Sequence, residues 1–184
     1  MHLLIDGDNQ SPTLILAHGA GAPMDSGFMQ QMTRNLVEQD IRVVRFEFPF
    51  MQERRESGKK RPPNRQPELI ESFKLVIDGL DGPVFIGGKS MGGRMASILA
   101  AEENCDLNKV KGLVCLGYPF HPQGKPEKLR VEHLPLIKCP SLILQGTRDP
   151  LGKVDEVAKY EMGDVQVEWL ETADHDFKPL KKSG

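Results

Sequence analysis

"IGGKSMGG", residues 86–93, admits two unrelated chemistries, and the choice between them decides the fold. Read as Gly-Lys-Ser, it closes a loop that wraps nucleotide phosphates; read as Gly88-Lys89-Ser90-Met91-Gly92, it is a sharp strand-to-helix turn that presents a serine. The phosphate loop needs a further glycine five residues before Gly88, because slack chain must curl its amides around the phosphates. Pro83 stands there, and the intervening Val84-Phe85-Ile86-Gly87 is apolar strand. The turn reading finds what it needs: an apolar run, the small residues Gly88, Gly92 and Gly93 around Ser90, and an amphipathic segment starting at once. Side chains at the flanking glycines would collide with neighbouring backbone, and the amino terminus of the following helix favours negative charge beside the serine.

On both sides of this turn, short apolar runs alternate with amphipathic segments. Strands are expected over 13–17, 41–46, 84–86, 110–116, 141–145 and 165–170, and helices over 28–39, 68–80, 92–103 and 153–160. Leu3 to Ile5, followed by the turn signal Asp6-Gly7-Asp8-Asn9, reads as a strand that enters antiparallel. The pattern predicts an α/β fold, a mostly parallel central sheet with helices on both faces. Two stretches, 49–67 and 117–135, read as long loops, and the first carries Arg54, Arg55, Lys59, Lys60 and Arg61.

A length of 184 residues fits one domain over 1–184. Acidic and basic side chains nearly cancel, 26 against 24, so no whole-chain field points to nucleic acid or a membrane surface as partner. Cys105, Cys115 and Cys139 are odd in number and lack metal-ligand spacing, so all three are read as reduced. The opening MHLLIDGDNQ reaches acidic and turn residues too soon for a signal peptide, and no run approaches membrane-spanning length. A reducing location, cytoplasmic or nuclear, is the default expectation.

A serine hydroxyl is a poor nucleophile without a histidine base oriented by a carboxylate, in the chain order serine, acid, histidine. The strand at 141–145 runs into Gly146-Thr147-Arg148-Asp149, and the strand at 165–170 into Asp174-His175-Asp176. Both loops lie beyond strand carboxyl ends, where ligand chemistry collects in such sheets. Ser90, Asp149 and His175 are the expected catalytic set. Asp174 and Asp176 adjoin His175 too closely for easy imidazole geometry, and Asp155 lies within a helix. An oxyanion needs two amides: Met91 should give one, and Ala20, with Gly21 second, the other from the loop after 13–17. His18 reads as a structural hydrogen-bonding residue. No cofactor or metal is implied.

Together, His18-Gly19-Ala20-Gly21, Gly88-Lys89-Ser90-Met91-Gly92-Gly93, Gly146-Thr147-Arg148-Asp149 and Asp174-His175 resemble the α/β-hydrolase superfamily over nearly the whole chain. Phe48-Pro49-Phe50-Met51 with Arg54-Arg55, the turn through Arg94, and Gly117-Tyr118-Pro119-Phe120-His121-Pro122 are similar to a small branch of it. That branch holds predicted bacterial hydrolases, a testis-expressed animal protein and a non-specific-lethal chromatin-complex subunit, and is distantly similar to dienelactone hydrolases. The resemblance implies hydrolysis of an ester, thioester or amide through an acyl-serine, with serine where dienelactone hydrolases carry cysteine. It also implies a minimal fold without a large cap domain, and a helix beyond the histidine loop, although this chain runs only to Gly184.

Two functions follow. The first is a serine hydrolase of a small-molecule carboxylic ester or thioester, with Arg54, Arg55 and His121 as candidate substrate-binding residues. The second is a weak or inactive hydrolase-fold protein that binds a protein partner, since fold alone does not guarantee activity.

Overall fold

The computed structural model describes residues 2–180. A seven-stranded sheet forms the centre, built from β1 (Leu3–Asp6), β2 (Thr13–Ala17), β3 (Arg42–Phe46), β4 (Val84–Lys89), β5 (Val110–Leu116), β6 (Ser141–Gly146) and β7 (Gln166–Leu170). Their spatial order is β1-β3-β2-β4-β5-β6-β7, with β1 antiparallel to β3 and every other neighbouring pair parallel. Strand order reverses between β2 and β4, and a crevice forms beyond the carboxyl ends at such a switch point.

Alternate residues of the inner strands feed two cores. Ile15, Ala17, Val44 and Phe46 face one side, where α3 (Gln66–Asp78) and α4 (Met91–Ala100) contribute Phe73 and Met95. Leu14, Leu16 and Val43 face the other, against Met29 of α1 (Gly27–Val37). Burial on both faces accounts for the continuous apolar runs of the parallel strands. Among the described residues, no helix is long and apolar enough to cross a membrane.

Two expectations need correction. The stretch 49–67 is not a loop throughout, because α2 (Pro49–Ser57) occupies its first half. Pro49 sits in the first turn, where its missing N–H is no loss, Phe50 and Met51 are buried, and Gly58 closes the helix in the left-handed conformation at φ 69°. The helix expected over 153–160 shrinks to one turn, α5 (Val154–Val157), in which Val157 is the buried residue and no apolar stripe extends it. The stretch 117–135 is irregular except for a short 3-10 turn at Leu134–Leu136.

Candidate active site

Ser90 stands between β4 and α4 with φ 51° and ψ −114°, a strained backbone that turns its side chain out of the sheet. Its N–H still donates to Leu116 O at 2.9 Å, while its carbonyl accepts the Arg94 N–H at 3.0 Å and starts the helix. Glycine is required around it for want of space. A Cβ on Gly88 would lie 2.7 Å from Ala17 O, and one on Gly92 would lie 2.6 Å from both Ala17 O and His18 O. The carboxyl end of β2 therefore rests directly on the first turn of α4.

Asp149 and His175 reach Ser90 from the ends of β6 and β7. The His175 Nδ1–H donates to Asp149 Oδ2 at 2.6 Å, and the ring's other nitrogen, Nε2, accepts from Ser90 Oγ at 3.0 Å. Asp149 is fully buried and His175 about a quarter exposed at 27 %. The second carboxylate oxygen of Asp149 accepts the Leu151 N–H at 2.9 Å, so both oxygens are held. Thr147 N–H to Leu170 O and Arg148 N–H to Ala173 O, at 3.1 and 3.0 Å, stitch the two loops together. Asp174 instead caps its own turn by accepting the Asp176 and Lys178 amides.

Lys89, the residue before the serine, was not singled out by sequence. Its side chain is only 9 % exposed, and Nζ donates to the His175 carbonyl oxygen. The ammonium also lies 3.7 Å from Asp176 Oδ1 and over the rings of Phe28 and Phe177, at 5.2 and 5.7 Å. Burial lowers its pKa to about 8, against the opposing pull of Asp176, Asp149 and Asp174. Lys89 thus ties the serine turn to the histidine loop.

The loop after β2 forms the opposite wall. His18 is fully buried; its Nδ1–H donates to Gly19 O at 2.7 Å and its Nε2 accepts the Phe48 N–H at 3.1 Å, while desolvation lowers its pKa. It is a structural strut, as read from sequence. Ala20 lines both cavities that adjoin Ser90, of about 390 and 230 Å³; Met91 lines the larger and Gly21 the smaller. Among the described residues, neither the Ala20 nor the Met91 N–H has a hydrogen-bond partner.

The candidate substrate-binding residues are placed differently from one another. Arg55 is engaged by Glu47 and Asp25, at 2.6 and 2.8 Å, and Arg54 donates to Gly21 O at 3.2 Å. His121 is buried, with Nδ1 2.9 Å from Pro122 O and Nε2 3.4 Å from Glu156 Oε2. None of the three lines either cavity beside Ser90.

A second serine–histidine contact, Ser97 Oγ to His133 Nε2 at 2.8 Å, has the opposite polarity from the first. Ser97 donates its proton to Arg94 O at 2.8 Å and Tyr118 donates its own to Arg130 O at 2.8 Å. His133 Nε2 must then carry hydrogen and donate, so its lone pair is not available to activate Ser97. Ser97 is also fully buried.

A family model described as an alpha/beta hydrolase domain matches this chain over residues 10–184. The chain belongs to the alpha/beta hydrolase family. Solved structures superpose on this hydrolase fold across nearly its whole length. The dienelactone hydrolase of Anabaena variabilis aligns with TM-score 0.73 and 20 % identity, covering 96 % of this chain and 82 % of that one. Est1E of Butyrivibrio proteoclasticus, bound to ferulic acid, gives TM-score 0.73 and 15 % identity over 96 % and 87 %. A serine hydrolase homologue from Coxiella burnetii gives 0.70 and 18 % over 94 % and 82 %. Identities this low establish the shared fold and leave the reaction to the residues of the site.

Proposed function

We propose that this alpha/beta hydrolase cleaves a carboxylic ester or thioester through an acyl-serine intermediate, with Ser90, His175 and Asp149 as its triad. The carrying observation is the His175 ring, hydrogen-bonded at one nitrogen to Ser90 Oγ and at the other to the fully buried Asp149. Ser90 Oγ attacks the acyl carbon while its proton passes to His175 Nε2; Asp149 holds the tautomer and stabilises the imidazolium. The tetrahedral oxygen is met by the Met91 and Ala20 amides, with Gly21 as the alternative donor, at the positive end of α4. Collapse expels the alcohol or thiol, which takes the proton from His175. Water then gives its proton to Nε2 and attacks the acyl carbon, and the acid leaves as Ser90 regains hydrogen.

The test is labelling with a fluorophosphonate, which forms a bond from serine oxygen to phosphorus and releases fluoride only where the serine is activated. Labelling of the wild type and none of Ser90→Ala supports the reading. A folded wild type that stays unlabelled overturns it in favour of the binding-module reading, which rests on the resemblance to a chromatin-complex subunit.

A further inference from the structure

The larger cavity beside Ser90, about 390 Å³, is lined by two arginines, Arg94 and Arg130, and by no aspartate or glutamate. Arg94 closes the first turn of α4, four residues after Ser90 and so about 6 Å along the helix. Arg130 comes from the irregular stretch before the 3-10 turn. Among the described residues, neither guanidinium forms a salt bridge or a side-chain hydrogen bond, and Arg94 Nε is buried with no partner. Arg45, Arg55 and Arg61, by contrast, all meet carboxylates. Two mutually repelling, partly desolvated cations on one wall are costly unless an anion joins them. Burial and the Arg94 charge indeed lower the pKa of Arg130.

The backbone behind this pair is cross-tied. Ser97 Oγ holds the Arg94 carbonyl, Tyr118 Oη holds the Arg130 carbonyl, and His133 Nε2 lies 2.8 Å from the first hydroxyl and 3.3 Å from the second. Burial and Arg94 lower the His133 pKa to about 4, so this brace stays uncharged at neutral pH. A neutral brace, with Ser97 and Tyr118 fully buried and His133 half-buried, fixes where the two cations sit without cancelling their charge. It also gives Ser97, Tyr118 and His133 a role that the reaction itself does not.

We infer that Arg94 and Arg130 form an anion subsite, and that the substrate carries a carboxylate or phosphate on the limb that enters the larger cavity. The inference deepens the proposed hydrolysis and rests on it only for turnover. Guanidinium groups are suited to either anion, since their planar donor forks match both.

The experiment compares 4-nitrophenyl hydrogen glutarate with 4-nitrophenyl valerate, which have the same acyl length with and without the terminal charge. An analogue that ends in phosphate separates the two anion sources. Wild type should favour an anionic ester in kcat/KM, and Arg94→Met and Arg130→Met should each lower the anionic-to-neutral ratio about ten- to a hundredfold. Arg94→Lys should recover part of it. A merely structural role would lower both esters together and leave the ratio unmoved, which overturns the inference. If neither ester is hydrolysed, the proposed reaction fails while the subsite is still decided: glutarate monoester binding to the Ser90→Ala protein, measured by calorimetry, must weaken in the Arg94→Met, Arg130→Met background. Equal binding in both backgrounds refutes it.

Discussion

Replacing Lys89 with methionine should stabilise the protein and impair its site. In the fold the ammonium loses its proton near pH 8 rather than at 10.5, chiefly because burial penalises the charge. At about 1.4 kcal/mol per pH unit, the charged form costs the fold about 3 kcal/mol at neutral pH. Losing the His175 carbonyl hydrogen bond returns about 1–2 kcal/mol of that, so a net gain of about 1–2 kcal/mol at pH 7 is expected. Between pH 8 and 10.5 unfolding takes up a proton, because only the unfolded lysine is still charged. Wild-type stability therefore climbs with pH across that window, and the variant's advantage shrinks. Urea melts at pH 7 and pH 10 read both effects. With the histidine loop untied, fluorophosphonate labelling should slow about ten- to a hundredfold. A variant less stable than wild type at pH 7, or a gap that does not narrow by pH 10, refutes the reasoning.

Asp149→Asn keeps an oxygen for the Leu151 amide but favours the wrong imidazole tautomer, so labelling should fall about 10³- to 10⁴-fold with an unchanged melting curve. Gly92→Ala drives a Cβ to 2.6 Å from Ala17 O and His18 O; a loss of about 1–3 kcal/mol is expected in urea melts, together with slower labelling. Arg55→Ala leaves Glu47, 6 % exposed, without its ion-pair partner. It should cost about 1–3 kcal/mol in the same melts and leave the preference between anionic and neutral esters in place.

That Ser90, Asp149 and His175 would come together could be read in the sequence because each follows an apolar strand, and strand carboxyl ends in a parallel sheet converge on one edge. No long-range information was needed beyond chain order. The basic loop at 53–65 was harder, because charge density says nothing about whether a cation is already engaged. Arg55 proved to be held by Glu47 and Asp25, residues 8 and 30 positions away. Arg94 and Arg130 carried no local signal, since lacking a counter-ion is a property of tertiary packing. Helix α2 lay inside the stretch read as a loop; its start is marked by Pro49, whose place in the first turn suits a residue without an N–H.

The site is assembled from positions far apart along the chain: Ser90 and His175 are separated by 85 residues, and Asp149 and His175 by 26. Parallel pairings of such separation form slowly, because the intervening chain must be ordered before they are made. His175 meets its partners only once β7, the outermost strand, has docked on β6. During refolding, circular dichroism should therefore recover its helical signal early, while reactivity of Ser90 returns last. The serine thus acts as a clock for completion of the far edge of the sheet, and the lag between the two signals measures how long that edge takes to close.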